Sequence, residues 1–177
     1  QVAAPPRSWY IQIVVLIFSV VVHEVSHGYA ALALGDRTAQ QAGRLTLNPI
    51  PHIDPLGSIL LPLIMSLIPG GFIIGWAKPV PYNPYNLKNP FDKFGASKNW
   101  GPALVGVAGP FANVFLALVF GLLLRFLPEF ANSVSPSFLF NFMTIAGAIA
   151  LLNLFLAVFN LVPIPPLDGS KVLFTLL

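Results

Sequence analysis

The sequence predicts an all-α polytopic membrane protein: a core bundle of three transmembrane helices, with a re-entrant or extended segment between the first and second. Two observations carry this expectation. Of the 177 residues, 56% are hydrophobic and only 8% are charged, where a water-soluble domain carries roughly a quarter charged residues. Nine Lys and Arg with six Asp and Glu cannot cover the surface of a soluble fold. The apolar residues also gather into four long stretches, each near the ~20 residues that a membrane span needs. The same composition excludes a disordered chain, a disulfide scaffold and a coiled coil. Cys is absent, so any metal must rest on His and carboxylates. The net charge of +3 is spread thinly, with no basic run to bind nucleic acid, and its expected use is orientation in the lipid bilayer.

The first predicted span covers 10–34, with Trp9 and Tyr10 as an aromatic anchor beside Arg7. It is too long for a signal-peptide core and contains ionisable residues, so no cleavable signal is expected. The second apolar stretch, 55–77, is interrupted by Pro62 and by Pro69, Gly70 and Gly71. Broken backbone at membrane depth is tolerated only where protein buries it, which makes this segment re-entrant or membrane-associated. A Pro- and Asn-rich loop, 78–94, follows and reads as extended and turn structure. The next span, 100–125, is closed by Arg125 and carries small residues at Gly101, Gly106 and in AGPFAN (108–113), which allow close helix packing. The last, 138–162, follows the polar NSVSPS and runs into Pro163, Pro165 and Pro166. A further helix starts within 168–177. Residues 1–177 are expected to form a single membrane-embedded domain.

Charge separates two topologies. If 55–77 crosses, Lys and Arg divide six to three between the faces; if it enters and leaves by one face, they divide seven to two. The sharper bias puts Arg37, Arg44, Lys78, Lys88, Lys93, Lys98 and Lys171 in the cytoplasm, against Arg7 and Arg125 outside.

Within the first span lies His23-Glu24-Val25-Ser26-His27. Residues four apart share a helix face, so His23 and His27 can bind one metal ion. Glu24, beside them, is placed to take a proton from water. Ionisable side chains inside a span cost roughly 2.5–3.5 kcal/mol each when charged, and such residues are functional by default. A polar cluster gluing helices together is the bland alternative, and the metal reading is preferred. A catalytic zinc usually has three protein ligands and one open position. The third must be His52 or a carboxylate: Asp36, Asp54, Asp92, Glu129 or Asp168. Most of these lie in loops near Lys or Arg. Asp168 alone follows a long apolar span, in NLVPIPPLDG, where the prolines stop the helix and Gly169 lets the chain turn. A ligand role for Asp168 is preferred to a pure N-cap role. His27 lies about 10 Å of helix from the Arg37/Arg44 face. For Asp168 to reach it, the first and last spans must run in the same direction, so 55–77 must not cross as a single helix.

These residues resemble the site-2 protease family of intramembrane zinc metalloproteases. HEVSHGYAA is similar to the family's HExxH helix, and NLVPIPPLDG to its Asn-x-x-Pro-x-Pro-x-Leu-Asp-Gly motif. GRLTLNPIPHIDPLGSILLP and GWAKPVPYNP resemble small prokaryotic members without a PDZ domain. The resemblance implies Zn2+ held by His23, His27 and Asp168, with Glu24 as the catalytic base. It implies regulated intramembrane proteolysis, with a transmembrane substrate unwound near the cytosolic side of the cell membrane. Asn160 matches the motif's Asn and is a candidate for holding the scissile peptide. Asn113 is a second candidate for a contact near the active site, and Asn141 and Asn153 are weaker ones. His52 is expected to be a satisfied interfacial residue. Extended pieces around Thr46 and Val80 are candidates for a strand edge that pairs with the unwound substrate. A membrane metal-binding or metal-transport protein without peptidase activity is the alternative. It requires a His–Asp site but no Glu next to the first His.

Overall fold

A computed structural model describes residues 8–67, 76–92, 99–127, 129 and 134–177. Among these the chain is helical and contains no strand. In chain order the α-helices are α1 (Ser8–Ala33), α2 (Thr38–Gln41), α3 (Leu61–Ser66), α4 (Gly101–Phe126), α5 (Pro136–Asn160) and α6 (Gly169–Leu176). A π-helical turn at Pro55–Leu60 leads directly into α3. Among the described residues, α1, α4 and α5 are long and apolar enough to cross a membrane.

Local chemistry sets the helix ends. Gly35, at φ +103°, turns the chain out of α1 in a conformation that costs glycine little. Asp54 accepts from the N–H groups of Leu56 and Gly57 at 2.9 and 2.8 Å and starts the π-helical turn. Asn99 accepts from the N–H of Gly101 at 2.9 Å where α4 begins, and the Ser135 hydroxyl accepts from Phe138 N–H where α5 begins. Prolines at 163, 165 and 166 deny α5 a continuation beyond Asn160.

The bundle is arranged as a membrane requires, apolar outside and polar within. Phe111, Leu151 and Phe155 are exposed, whereas Ser19, Asn113 and Asn153 are each 0% exposed between the helices. Helix α4 is central and packs against α1, α5 and α6. Gly106 and Gly109 let it come close, because a Cβ at Gly106 would lie 3.1 Å from the Asp168 carbonyl oxygen and one at Gly109 would overlap the histidines of α1. His27, near the end of α1, touches Val105, near the start of α4. It also touches Asp168, just beyond α5. Helices α1 and α5 therefore run in the same direction, and α4 runs against both.

The long connection between α1 and α4 is tied around the C-terminal end of α1. Lys88 N–H donates to Leu34 C=O at 2.8 Å and Lys78 N–H to His52 C=O at 2.9 Å. Trp76 N–H donates to Gly57 C=O at 3.2 Å, and the Ser58 hydroxyl donates to Trp76 C=O at 2.7 Å. The middle of the predicted re-entrant segment, 68–75, lies outside the described residues, as do Arg7, Lys93 and Lys98. The fully buried Asp36 organises this region. It accepts from Thr38 N–H and Oγ1–H, Asn83 N–H and Asn86 Nδ2–H. Burial opposes its charge, but these donors outweigh burial and hold the carboxyl below its ordinary range.

Some backbone groups of the extended pieces proposed as a substrate edge are held by side chains. Arg44 Nη2 donates to the carbonyls of Lys78 and Pro79 at 2.7 and 3.3 Å. Val80 N–H is engaged by Glu24, and Thr46 C=O accepts from His52. Side chains thus engage these four backbone groups, and among the described residues the extended pieces belong to no strand.

Candidate metal centre

Helix α1 presents His23 and His27 on one face, one turn apart. Their Nε2 atoms lie 3.0 Å from each other and 3.0 and 3.1 Å from Asp168 Oδ2. All three side chains are buried. Asp168 occupies the residue before α6, yet its carboxylate makes no capping hydrogen bond to that helix. It turns instead to the histidines, while Lys171 Nζ donates to its other oxygen, Oδ1, at 2.8 Å. Lys171 Nζ also sits 5.3 Å from the centre of the Tyr82 ring, tying α6 to the α1–α4 connection.

The far side of each imidazole decides what the near side can be. His27 Nδ1 lies 2.6 Å from the Val105 carbonyl, which only accepts, so Nδ1 carries a proton and, in the neutral ring, Nε2 keeps a lone pair. His23 Nδ1 donates in the same way to Asn113 Oδ1. With both rings neutral, two lone pairs and a carboxylate oxygen face one another. Such a group is repulsive unless a cation sits among them. Tetrahedral zinc with ligands at about 2.0 Å places its donors about 3.3 Å apart, close to the 3.0–3.1 Å found here. Outward N–H groups held by a carbonyl and an amide are also how metal-binding histidines are usually oriented. The donor set therefore fits zinc.

Gly109 of α4 leaves the room the cluster needs. A Cβ there would lie 2.5 Å from His27 Nε2 and 2.6 Å from His23 Nε2. Glu24 is half-buried beside His23, and its Oε2 accepts from Val80 N–H at 2.8 Å.

Of the remaining residues singled out by the sequence, Asn113 belongs to this centre as the partner of His23. Asn160 ends α5 and donates back to Leu156 C=O at 2.9 Å, within its own helix. His52 is buried away from the cluster, with Nε2 at 3.0 Å from Thr46 C=O. Asp54 caps the π-helical turn and Asp92 accepts from Asn89. No direct signal in the sequence pointed to the Val105 carbonyl, to Ser19 or to Lys171 at this centre, and Val80 stood out only as part of an extended edge. Asn153, a weaker candidate in the sequence, is buried next to Asn113.

Comparison with known proteins agrees with this chemistry. YwhC of Bacillus subtilis is 37% identical over 161 residues, covering 91% of this chain and 66% of that protein. Rip2 of Mycolicibacterium smegmatis is 29% identical over 153 residues, covering 86% and 52% respectively. MJ0611 of Methanocaldococcus jannaschii is 44% identical over 69 residues, covering 39% and 31%. All three are named as candidate zinc metalloproteases. The chain spans less than two-thirds of the length of each. No solved structure matches it. Zinc is the metal that both the donor set and the relatives' names indicate. The sequence profile of peptidase family M50 matches residues 11–177, through both motif-bearing helices and the connection between them. This multi-pass membrane chain therefore belongs to peptidase family M50, the site-2 proteases.

Proposed function

We propose that the chain is a zinc endopeptidase that hydrolyses peptide bonds of proteins within or beside the membrane. The observation that carries this reading is the convergence of three buried acceptors, His23 Nε2, His27 Nε2 and Asp168 Oδ2, next to a glutamate inside a membrane helix. His23, His27 and Asp168 hold the zinc. When bound, the ion supplies Lewis acidity that makes water a competent nucleophile at neutral pH. Glu24 is the general base. Val80 N–H fixes its Oε2 and leaves Oε1 to take the proton of the attacking water and deliver it to the leaving amine nitrogen. Asn160, at the end of α5, holds the substrate once the backbone of the cleaved segment has entered.

The substrate is a membrane protein whose transmembrane helix is unwound at the site, because helical hydrogen bonds otherwise occupy its carbonyls. The site faces the cytoplasm and 55–77 is re-entrant. Two facts support this topology: the ends of α1 and α4 meet at His27 and Val105, and Trp76 lies back against Gly57. A segment that leaves and returns at one level starts and ends on one face, which is also the face richer in Lys and Arg. Residues 1–177 act as one membrane-embedded domain.

Glu24→Gln tests the reading. The Gln oxygen keeps the hydrogen bond from Val80, so the variant should fold and bind zinc as the wild type does. Cleavage of a membrane-embedded reporter should fall at least ~100-fold, the scale of a lost general base. Retained cleavage would remove Glu24 from the mechanism.

A further inference from the structure

Three side chains from three helices form a buried polar chain behind His23. Asn113 Nδ2 donates to Asn153 Oδ1 at 2.7 Å and, more weakly, to the Ser19 backbone carbonyl at 3.5 Å. Asn153 Nδ2 donates to the Ile149 carbonyl at 2.9 Å and to the Ser19 hydroxyl at 2.8 Å. Ser19, Asn113 and Asn153 are each 0% exposed, so water cannot substitute for a partner.

The order of donors along this chain has a fixed direction. The Ile149 carbonyl can only accept, so it takes the NH2 of Asn153 and turns the Asn153 oxygen toward α4. That oxygen takes the NH2 of Asn113 and turns the Asn113 oxygen toward His23. The Asn113 oxygen takes the Nδ1 proton and leaves Nε2 of His23 as a lone pair in the metal cluster. An inverted Asn113 amide would set its NH2 against His23 Nδ1. The ring proton would then move to Nε2, inside the cluster, where it blocks a metal bond. Asn153 opposes that inversion, because the inverted amide would face it oxygen to oxygen.

We propose that Asn153 is a positioning residue for the metal centre, selecting the metal-binding tautomer of His23 through the amide orientation of Asn113. The inference rests on the zinc reading above but assigns a role to a residue of α5 that touches neither metal nor substrate. Ser19 carries no such role, since a hydroxyl rotates to donate or accept and imposes no direction.

The test is zinc affinity of the detergent-purified full chain by competition with a chelator, together with the visible spectrum of the Co2+-loaded protein. Asn153→Leu leaves the Asn113 amide only its 3.5 Å contact from Nδ2 to the Ser19 carbonyl, and zinc affinity should fall about 10–100-fold, the usual effect of losing an outer partner of a metal ligand. Its Co2+ spectrum should change as His23 leaves the metal. Asn153→Asp keeps an oxygen facing Asn113 and, neutral when buried, an O–H for Ile149. It should therefore retain affinity within about threefold and the wild-type spectrum. Ser19→Ala should do the same. A folded Asn153→Leu with wild-type affinity and spectrum overturns the proposal. So does a folded Asn153→Asp or Ser19→Ala that loses zinc, which would make the effect one of packing. If the leucine variant does not fold, Asn153→Asp alone decides. A wild-type protein without zinc affinity would instead overturn the metal reading itself.

Discussion

Replacing Gly109 with Ala separates the metal centre from the rest of the bundle with a single methyl group. The new carbon would lie 2.5 Å from His27 Nε2, 2.6 Å from His23 Nε2 and 2.7 Å from His23 Cε1. Ordinary contact begins near 3.4 Å, so the overlap is about 0.9 Å. The rings cannot simply swing away. His23 is held from behind by Asn113, and His27 by the Val105 carbonyl at 2.6 Å. Both partners belong to α4, the helix that carries the methyl, so retreat of that helix strains the same hydrogen bonds. Overpacking of this kind costs about 1–3 kcal/mol, and every ~1.4 kcal/mol expressed in binding is tenfold. Zinc affinity should fall about 10–100-fold by chelator competition, with a lower thermal unfolding temperature in detergent. Gly121→Ala, in the same helix with nothing within 4 Å of its Cβ, should be neutral or stabilising by up to ~1 kcal/mol. If Gly109→Ala binds zinc like the wild type, the three acceptors do not form the metal site as described.

Three other substitutions probe the surroundings. Val80→Pro removes the N–H that Glu24 Oε2 accepts, so reporter cleavage should drop while zinc stoichiometry stays at the wild-type value. Lys171→Met releases Asp168 Oδ1 and should weaken zinc binding several-fold; Lys171→Arg should restore most of it. Asp36 tests the α1–α4 connection through pH. Its folded pKa lies below the unfolded value of about 3.9. The stability it contributes is therefore complete above roughly pH 5 and is lost as pH falls through the folded pKa. Asp36→Asn should lower stability near neutral pH by about 2 kcal/mol, the scale of charge-assisted hydrogen bonds lost on burial. Its acid-dependent loss of stability should be smaller than the wild type's; an unchanged profile would remove Asp36 from that role.

The membrane fold was legible because hydropathy and length act residue by residue. The apolar stretches and the prolines after Asn160 mark the helices without reference to their neighbours. His23, Glu24 and His27 were legible because helix geometry alone puts the histidines on one face. Asp168 required one tertiary step, the shared direction of α1 and α5, which charge bias and ligand closure supplied together. Beyond that, local signals ran out. Asn113 and Asn153 sit 40 positions apart and read separately, as candidate contacts near the site with no link to each other. Their use depends on which carbonyl each amide meets. The Val80 N–H and Val105 carbonyl are backbone groups that any residue could supply. Extended segments at Thr46 and Val80 suggested an edge for substrate, but that Arg44, His52 and Glu24 hold some of their backbone groups follows only from the fold.

Zinc content per chain, measured on detergent-purified wild-type protein beside Asp168→Ala, tests the central claim most directly. His23, His27 and Asp168 acting as one ligand set predict about one zinc per chain in the wild type and a sharp loss in the variant. No zinc in the wild type, or zinc indifferent to Asp168, would contradict the three-ligand site and the hydrolytic mechanism built on it.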